Sequence, residues 1–290
     1  MKQVSDRPAI SRAVPVPILI DTHAHVSMRD FDGDRDEVLD RAKRAGVVSF
    51  IEVGFNLVAS RLSTRLARER GVFAAVGVHP HDAARDLDKW DDIETIARSP
   101  GVVAIGEIGL DYYRDLSPRN VQVECFIRGL DLAKRLGLPV IIHERDAGDE
   151  TVDIIKAHKP GDALVFHCFS GDRASARTRL DLGGYLGFGG AITYPRRDEL
   201  RDALRYCPPD RILLETDCPY LSPQRYRGRR NEPSYLVHTL AEASRIRGVN
   251  QEDLALISTE NAISAFKLHG LTPGSTCEKN KWHAQGEHIQ

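Results

Sequence analysis

The sequence predicts a single-domain α/β protein folded as a (β/α)8 barrel of the TIM type. Eight short apolar, β-branched runs recur along the chain, most of them followed by a charged segment with helical spacing. The connections are short, as strands joined through helices into a parallel sheet require. The length, 290 residues, accommodates such a barrel, which takes about 250. The nearest rival is a doubly wound open sheet. It would carry a GxGxxG turn after its first strand, and none stands there.

The elements follow in order. The first strand is expected at 17–22, where an apolar run breaks into polar residues, and a helix at 34–45. The Val/Ile-rich stretch 47–54 is the second strand, followed by an amphipathic helix over 57–70. Strands at 72–78 and 102–106 come next, then a helix at 119–136. Strands at 138–142 and 163–167 precede a helix at 172–182. The last two strands, 184–188 and 211–216, flank a helix at 197–206, and helices at 233–247 and 251–267 finish the pattern. The barrel is expected to occupy 17–271, with an N-terminal extension over 1–16 and a C-terminal tail over 272–290.

Composition narrows the function. With 41% hydrophobic and 28% charged residues a large core is available. A net charge of −2 gives no global basic field, so a nucleic-acid role must rest on a local patch. The five cysteines are scattered and form no CxxC, which argues against a zinc knuckle or a disulfide framework and fits the cytoplasm. The first sixteen residues read as a polar tail and not a signal peptide, and no run approaches the roughly 20 apolar residues of a membrane span.

Polar residues gather where such a barrel keeps its chemistry, at the C-terminal ends of strands. Six of the eleven histidines fall there: His23, His25, His79, His81, His143 and His167. Glu107 ends the fourth strand, and Glu215 and Asp217 end the eighth. A lone histidine is more often a hydrogen-bonded core residue, but six converging with carboxylates on one rim are hard to produce by packing. His23 and His25, alternate residues on a strand, share a face and bind one ion with Asp217 in this reading. His143 and His167 bind a second, and Glu107, with two oxygens, bridges the pair. Imidazole with carboxylate suits two divalent ions, zinc, manganese or magnesium. Such a pair activates a water nucleophile and stabilises both oxygens of a phosphoryl displacement. Glu107 and Asp217 are the catalytic candidates, with Asp217 orienting the water and accepting its proton. Asp111 and Asp146 read as loop or helix-capping residues, and Cys168 and Cys218 as small buried hydrophobes.

The blocks IDTHAH (20–25), VGVHPHD (76–82), GEIGLDYYR (106–114), LPVIIHERDA (138–147), FHCFSG (166–171), YLGFGG (185–190), LLETDCPYLSP (213–223), RGRRNEP (227–233) and STENA (258–262) together resemble the TatD-related metal-dependent deoxyribonucleases, over about 18–267. The resemblance implies a metal-holding (β/α)8 barrel whose ligands are His23, His25, Glu107, His143, His167 and Asp217. It implies a hydrolase of DNA phosphodiester bonds, often a 3′→5′ exonuclease on single strands. Some relatives act on RNA or remove D-amino acids from mischarged tRNA. Many relatives have serine where Glu144 stands, and an extra carboxylate there could alter substrate preference.

A basic cluster, Arg225, Arg227, Arg229 and Arg230, follows the eighth strand and suits a phosphate backbone. The same cluster also reads as a solvated loop paired to acids such as Glu232. Tyr112 is a candidate for stacking on a base, and Arg114 and Arg145 for phosphate contact. His79 is placed against the scissile phosphate or behind a residue that contacts it. The leading expectation is therefore a monomeric nuclease acting on nucleic-acid ends and not at membranes. Two alternatives are a D-aminoacyl-tRNA deacylase or other ester or amide hydrolase, and a non-enzymatic barrel kept as a scaffold.

Overall fold

The computed structural model describes residues 18–161 and 163–268, so the expected extension and the whole of the expected tail lie outside the described residues. Eight parallel strands follow one another in chain order round one sheet. They are β1 Leu19–Ala24, β2 Val47–Val53, β3 Phe73–Val76, β4 Val102–Asp111, β5 Val140–Arg145, β6 Leu164–Phe166, β7 Tyr185–Phe188 and β8 Ile212–Leu214. Helix α1 (Arg35–Arg44) follows β1 and α2 (Leu57–Arg70) follows β2. The short α3 (Ala83–Asp86) and α4 (Trp90–Ala97) follow β3, and α5 (Arg119–Leu136) follows β4. Then come α6 (Gly148–His158), α7 (Arg173–Asp181) and α8 (Asp198–Tyr206) after β5, β6 and β7, with α9 (Leu236–Arg247) and α10 (Gln251–Phe266) after β8. This is the (β/α)8 barrel that the pattern predicts.

The seam between β8 and β1 closes just beyond the ladder. The Asp217 N–H donates to the His23 carbonyl and the His25 N–H to the Cys218 carbonyl, both at 2.9 Å. Beneath them the buried Asp21 accepts from the Thr216 N–H at 2.9 Å and the Thr216 hydroxyl at 2.5 Å. Burial pushes the Asp21 carboxyl up to about 8, against the hydrogen bonds from Thr216.

Alternate strand residues divide between two apolar clusters. Ile20, Ile51, Val53, Ala75, Ala104, Ile141, Val165 and Leu213 fill the barrel interior, with Phe266 and Leu268 packed against them. Val140, Ile142, Leu164, Phe166, Leu186 and Phe188 face outward against helix residues such as Phe126, Leu130, Ile155 and Ala176. The period-two rule then aims the site. Ile141 shares its face with His143, Val165 with His167, and Leu213 with Glu215, so the inward face is apolar below and polar at the C-terminal mouth.

Two boundaries differ from the sequence reading in a way that matters. β4 continues to Asp111 and β5 to Arg145, beyond the expected 106 and 142, with Gly109 paired to His143 and Asp111 to Arg145. The apolar pattern stops at Gly106, but the ladder continues because the polar side chains of the two strands satisfy one another. Gly109, at φ +143°, permits the approach, since a Cβ there would meet the His143 carbonyl. β8, by contrast, stops at Leu214 and not 216, because the chain leaves the ladder and turns at Asp217 with a left-handed φ of +56°. Helices α3, α4 and α6 add to those named from the sequence, and α9 starts at Leu236 after a single 3-10 turn over Pro233–Tyr235.

Candidate active site

The six residues expected to share a site, contributed by the ends of β1, β4, β5 and β6 and the turn after β8, meet at the mouth of the barrel. Glu107 lies at their centre and is buried. Its Oε1 is 2.7 Å from both His143 Nδ1 and His167 Nε2, and its Oε2 is 3.5 Å from His23 Nε2. His23 Nε2 and His25 Nε2 lie 3.2 Å apart. Asp217 Oδ1 is 3.5 Å from His25 Nε2 and 3.9 Å from His23 Nε2. His143 Nδ1 and His167 Nε2 are 3.3 Å apart.

Outer hydrogen bonds fix which nitrogen of His25 and of His143 faces inward. His25 Nδ1 is 2.8 Å from the Val53 carbonyl, which only accepts, so Nδ1 carries a proton and Nε2 is the nitrogen that faces the centre. His143 Nε2 is 3.1 Å from Asp111 Oδ2, which leaves Nδ1 as the inward donor atom. His167 Nδ1 is buried without a hydrogen bond, 3.7 Å from Glu215 Oε1, while Nε2 faces Glu107. His79 is set the other way. Its Nδ1 accepts the His81 N–H at 3.0 Å, so the neutral ring carries its proton on Nε2, 3.4 Å from Glu107 Oε1. Burial lowers His79 to about 4 and keeps it neutral. It offers a hydrogen bond to the site, where the other four turn one ring nitrogen each toward Glu107 or Asp217.

The electrostatics agree. Burial alone would raise Glu107, but the charges of His167 and His79 and the hydrogen bonds from His143 and His167 hold it well below its ordinary range. Asp217 is likewise lowered against burial, by its hydrogen bond with His25 and the charges of His23 and His167. Burial works against protonation of His25, yet Asp217 and Glu107 lift it to about 9. His167 is pushed well up, against burial, by Glu107 and Glu215. Without a cation these rings hold protons that the carboxylates accept, and the facing nitrogens, 3.2 and 3.3 Å apart, become lone-pair donors once divalent cations displace those protons. Four imidazoles and two carboxylates, turned inward and satisfied only by one another, fit divalent cations.

Two residues that support the site, Asp111 and Glu215, carry no metal-site role in the sequence reading. Asp111 does cap the turn after β4, through bonds from the Tyr113 and Arg114 N–H groups to Oδ1, but its Oδ2 also holds His143 and His81. Glu215, buried inside the barrel, accepts the Cys168 N–H at 2.5 Å. Parity was the available signal: Asp111 shares a strand face with Glu107, and Glu215 precedes Asp217 by two.

The expected substrate contacts fare unequally. The Tyr112 ring is covered by Arg119 at 4.2 Å and its hydroxyl is bound by Glu150, so it offers no free stacking face on that side. Arg145 lies over Tyr113 at 3.9 Å, and Arg227 over Tyr194 at 4.0 Å, both exposed on the rim. Arg114 and Arg229 are exposed with no side-chain hydrogen bond or ion pair among the described residues. Arg230 is committed to a two-pronged ion pair with Asp34, at 2.7 Å on both oxygens, and to the Asp30 carbonyl. Glu232 pairs with Arg41, not with the loop arginines. Glu144 is no free carboxylate: Arg179, itself buried, grips both of its oxygens at 2.5 and 3.2 Å.

The chain has relatives among known proteins. The family model described as TatD related DNase matches residues 20–267. An uncharacterized metal-dependent hydrolase of Bacillus subtilis, YabD, is 38% identical over 257 residues, covering 87% of this chain and all of that protein. The 3′-5′ ssDNA/RNA exonuclease TatD of Klebsiella pneumoniae is 39% identical over 264 residues, covering 86% of this chain and 98% of that protein. Among solved structures, YjjV, a TatD homologue from Escherichia coli, superposes with a TM-score of 0.82 at 32% identity, over 86% of this chain and 98% of that one.

Proposed function

Given that the chain belongs to the TatD-related DNase family, we propose that it is a divalent-metal-dependent exonuclease that removes nucleotides from the 3′ end of single-stranded DNA, with RNA as a related substrate. The observation that carries the proposal is the pair of Glu107 oxygens, one facing His143 and His167 and the other facing His23. His23, His25 and Asp217 would hold one divalent cation and His143 and His167 a second, with Glu107 offering an oxygen to each group. Magnesium, manganese or zinc bound there would supply Lewis-acid activation of water and of the phosphate oxygens.

The protein's own groups do the rest. Asp217, with its side chain 13% exposed, is the carboxylate open enough to take a proton from the attacking water. His79, neutral and protonated on Nε2, donates to a phosphate oxygen. Arg114, Arg145, Arg227 and Arg229 hold the backbone of the strand. Arg230 is left to its pair with Asp34. The ester or amide hydrolase has no observation here in its favour. The free thiols of Cys125, Cys168, Cys207 and Cys218 suit a reducing compartment, and we place the protein in the cytoplasm as a monomer. Among the described residues no helix is long and apolar enough to cross a membrane.

The test uses metal-stripped protein reconstituted with magnesium, manganese or zinc on end-labelled single-stranded DNA. Shortening from the 3′ end that returns with metal and is lost in Glu107→Gln supports the proposal. Full activity in Glu107→Gln, or no shortening with any metal, refutes it.

A further inference from the structure

Seven of the eight tyrosines have a ring face occupied. Tyr112, Tyr113, Tyr185, Tyr194 and Tyr206 each lie beneath an arginine, and Tyr226 and Tyr235 stack on each other at 4.0 Å. Tyr220 is the exception. Its sole ring contact among the described residues is an edge arrangement with His25, centroids 6.3 Å apart at 70°. It is 52% exposed, although it stands on the segment that closes the barrel, three residues beyond Asp217.

That segment is held firmly. The Tyr220 N–H donates to the Asp217 carbonyl at 2.9 Å. The buried Asn231 amide donates to the Tyr220 carbonyl at 2.7 Å and to the Thr216 carbonyl at 2.8 Å. The hydroxyl reaches only the Met28 sulfur, at 3.8 Å. Burial and the charges of Asp217, Asp30 and Glu107 raise that hydroxyl, and the charge of Arg114, from the loop after β4, acts in the opposite sense. Arg114, its N–H held by the Asp111 that also binds His143, and the uncovered ring of Tyr220, its N–H held by Asp217, therefore stand on two sides of one carboxylate-lined centre. An aromatic ring left bare, rigidly mounted and beside reactive groups suits a flat apolar surface attached to an anion, which describes a nucleobase on its phosphate.

We infer that Tyr220 is the stacking platform for the terminal nucleobase of the strand, with Arg114 on the adjoining phosphate. This rests on the nuclease reading above and names the residue that seats the end of the substrate. Stacking does not distinguish one base from another, so the platform serves any 3′ terminus while requiring that a base be present. A paired base is sandwiched in its own duplex and cannot offer its face, so a frayed or single-stranded end is needed.

The experiment compares two oligonucleotides, one ending in adenine and one ending in a reduced abasic residue. Wild-type protein with manganese is expected to cleave the abasic end with kcat/KM about tenfold lower. Tyr220→Leu loses about the same factor on the adenine end and no more on the abasic end, whereas Tyr220→Phe behaves as wild type. In parallel, a strand ending in 2-aminopurine is titrated in the presence of EDTA. Wild type changes its fluorescence on binding and Tyr220→Leu does not. Wild-type cleavage with the full abasic penalty retained in Tyr220→Leu overturns the inference alone. A wild type that neither cleaves nor binds either strand overturns the nuclease reading and the inference with it.

Discussion

Replacing Asp111 by asparagine changes one atom and should loosen metal binding without touching an inward-facing donor. Oδ1 of Asp111 accepts the Tyr113 and Arg114 N–H groups at 3.0 and 2.7 Å, while Oδ2 accepts from His81 and His143 at 2.9 and 3.1 Å. In Asp111→Asn the two backbone donors keep the amide oxygen, so the NH2 group must face the rings. His143 then meets a donor at Nε2, turns that nitrogen into an acceptor and moves its proton to Nδ1. Nδ1 is the atom that faces Glu107 and His167, and a protonated nitrogen binds no cation. Loss of an outer hydrogen bond to a metal-binding histidine costs about 10–100-fold in affinity. At about 1.4 kcal/mol per tenfold, that is roughly 1.4–2.7 kcal/mol. Zinc or manganese affinity is measured on stripped protein by competition with a chelating dye, beside the melting temperature of the metal-free variant. Affinity within twofold of wild type, in a variant that folds, would sink the tautomer reasoning.

Three further outcomes follow from the same geometry. For the metal-free protein, His25 at about 9 lies above its ordinary 6.5, so its contribution is complete below pH 6.5 and is lost as pH rises through 9; Asp21, raised to about 8, acts in the same direction up to that pH. Thermal unfolding between pH 6.5 and 9 should show a falling melting temperature, and a rising one would contradict it. Arg114→Ala should weaken single-strand binding and lower the slope of log K against log salt by about 1, whereas Arg230→Ala should leave that slope alone and cost up to about 1 kcal/mol of stability through its half-exposed pair with Asp34. Equal slopes in the two variants would remove the distinction. Glu144→Ser strands the buried Arg179 and should cost about 3 kcal/mol in urea denaturation, with the ratio of DNA to RNA cleavage unchanged. A changed ratio at full stability would restore a substrate role to that carboxylate.

Much of the barrel was legible because periodicity is local. Alternation along 138–142 and 163–167 assigns His143 and His167 to the inward face before any strand is paired, and His23 and His25 share a side for the same reason. The ends of strands were less legible, because Glu107 and Asp111 interrupt an apolar pattern that the ladder nonetheless continues. Their burial is compensated by histidines from other strands, which a window along the chain does not contain. The loops were least legible. Arg227 and Arg230 are the same residue type three positions apart, yet one lies over Tyr194 and the other is bound by Asp34.

The sequence by itself determined the class of the fold, the faces of its strands and the chemical kinds of side chain at the mouth, since all three follow from residue identity and the two-residue repeat of a strand. Tertiary structure alone decided which nitrogen of each histidine faces inward, which arginines are spent on ion pairs and which tyrosine keeps a bare face. Those depend on contacts such as Asp21 with Thr216, 195 positions apart. Only closure of the barrel brings such residues together, and a hydrogen bond is fixed by distance in space and not along the chain.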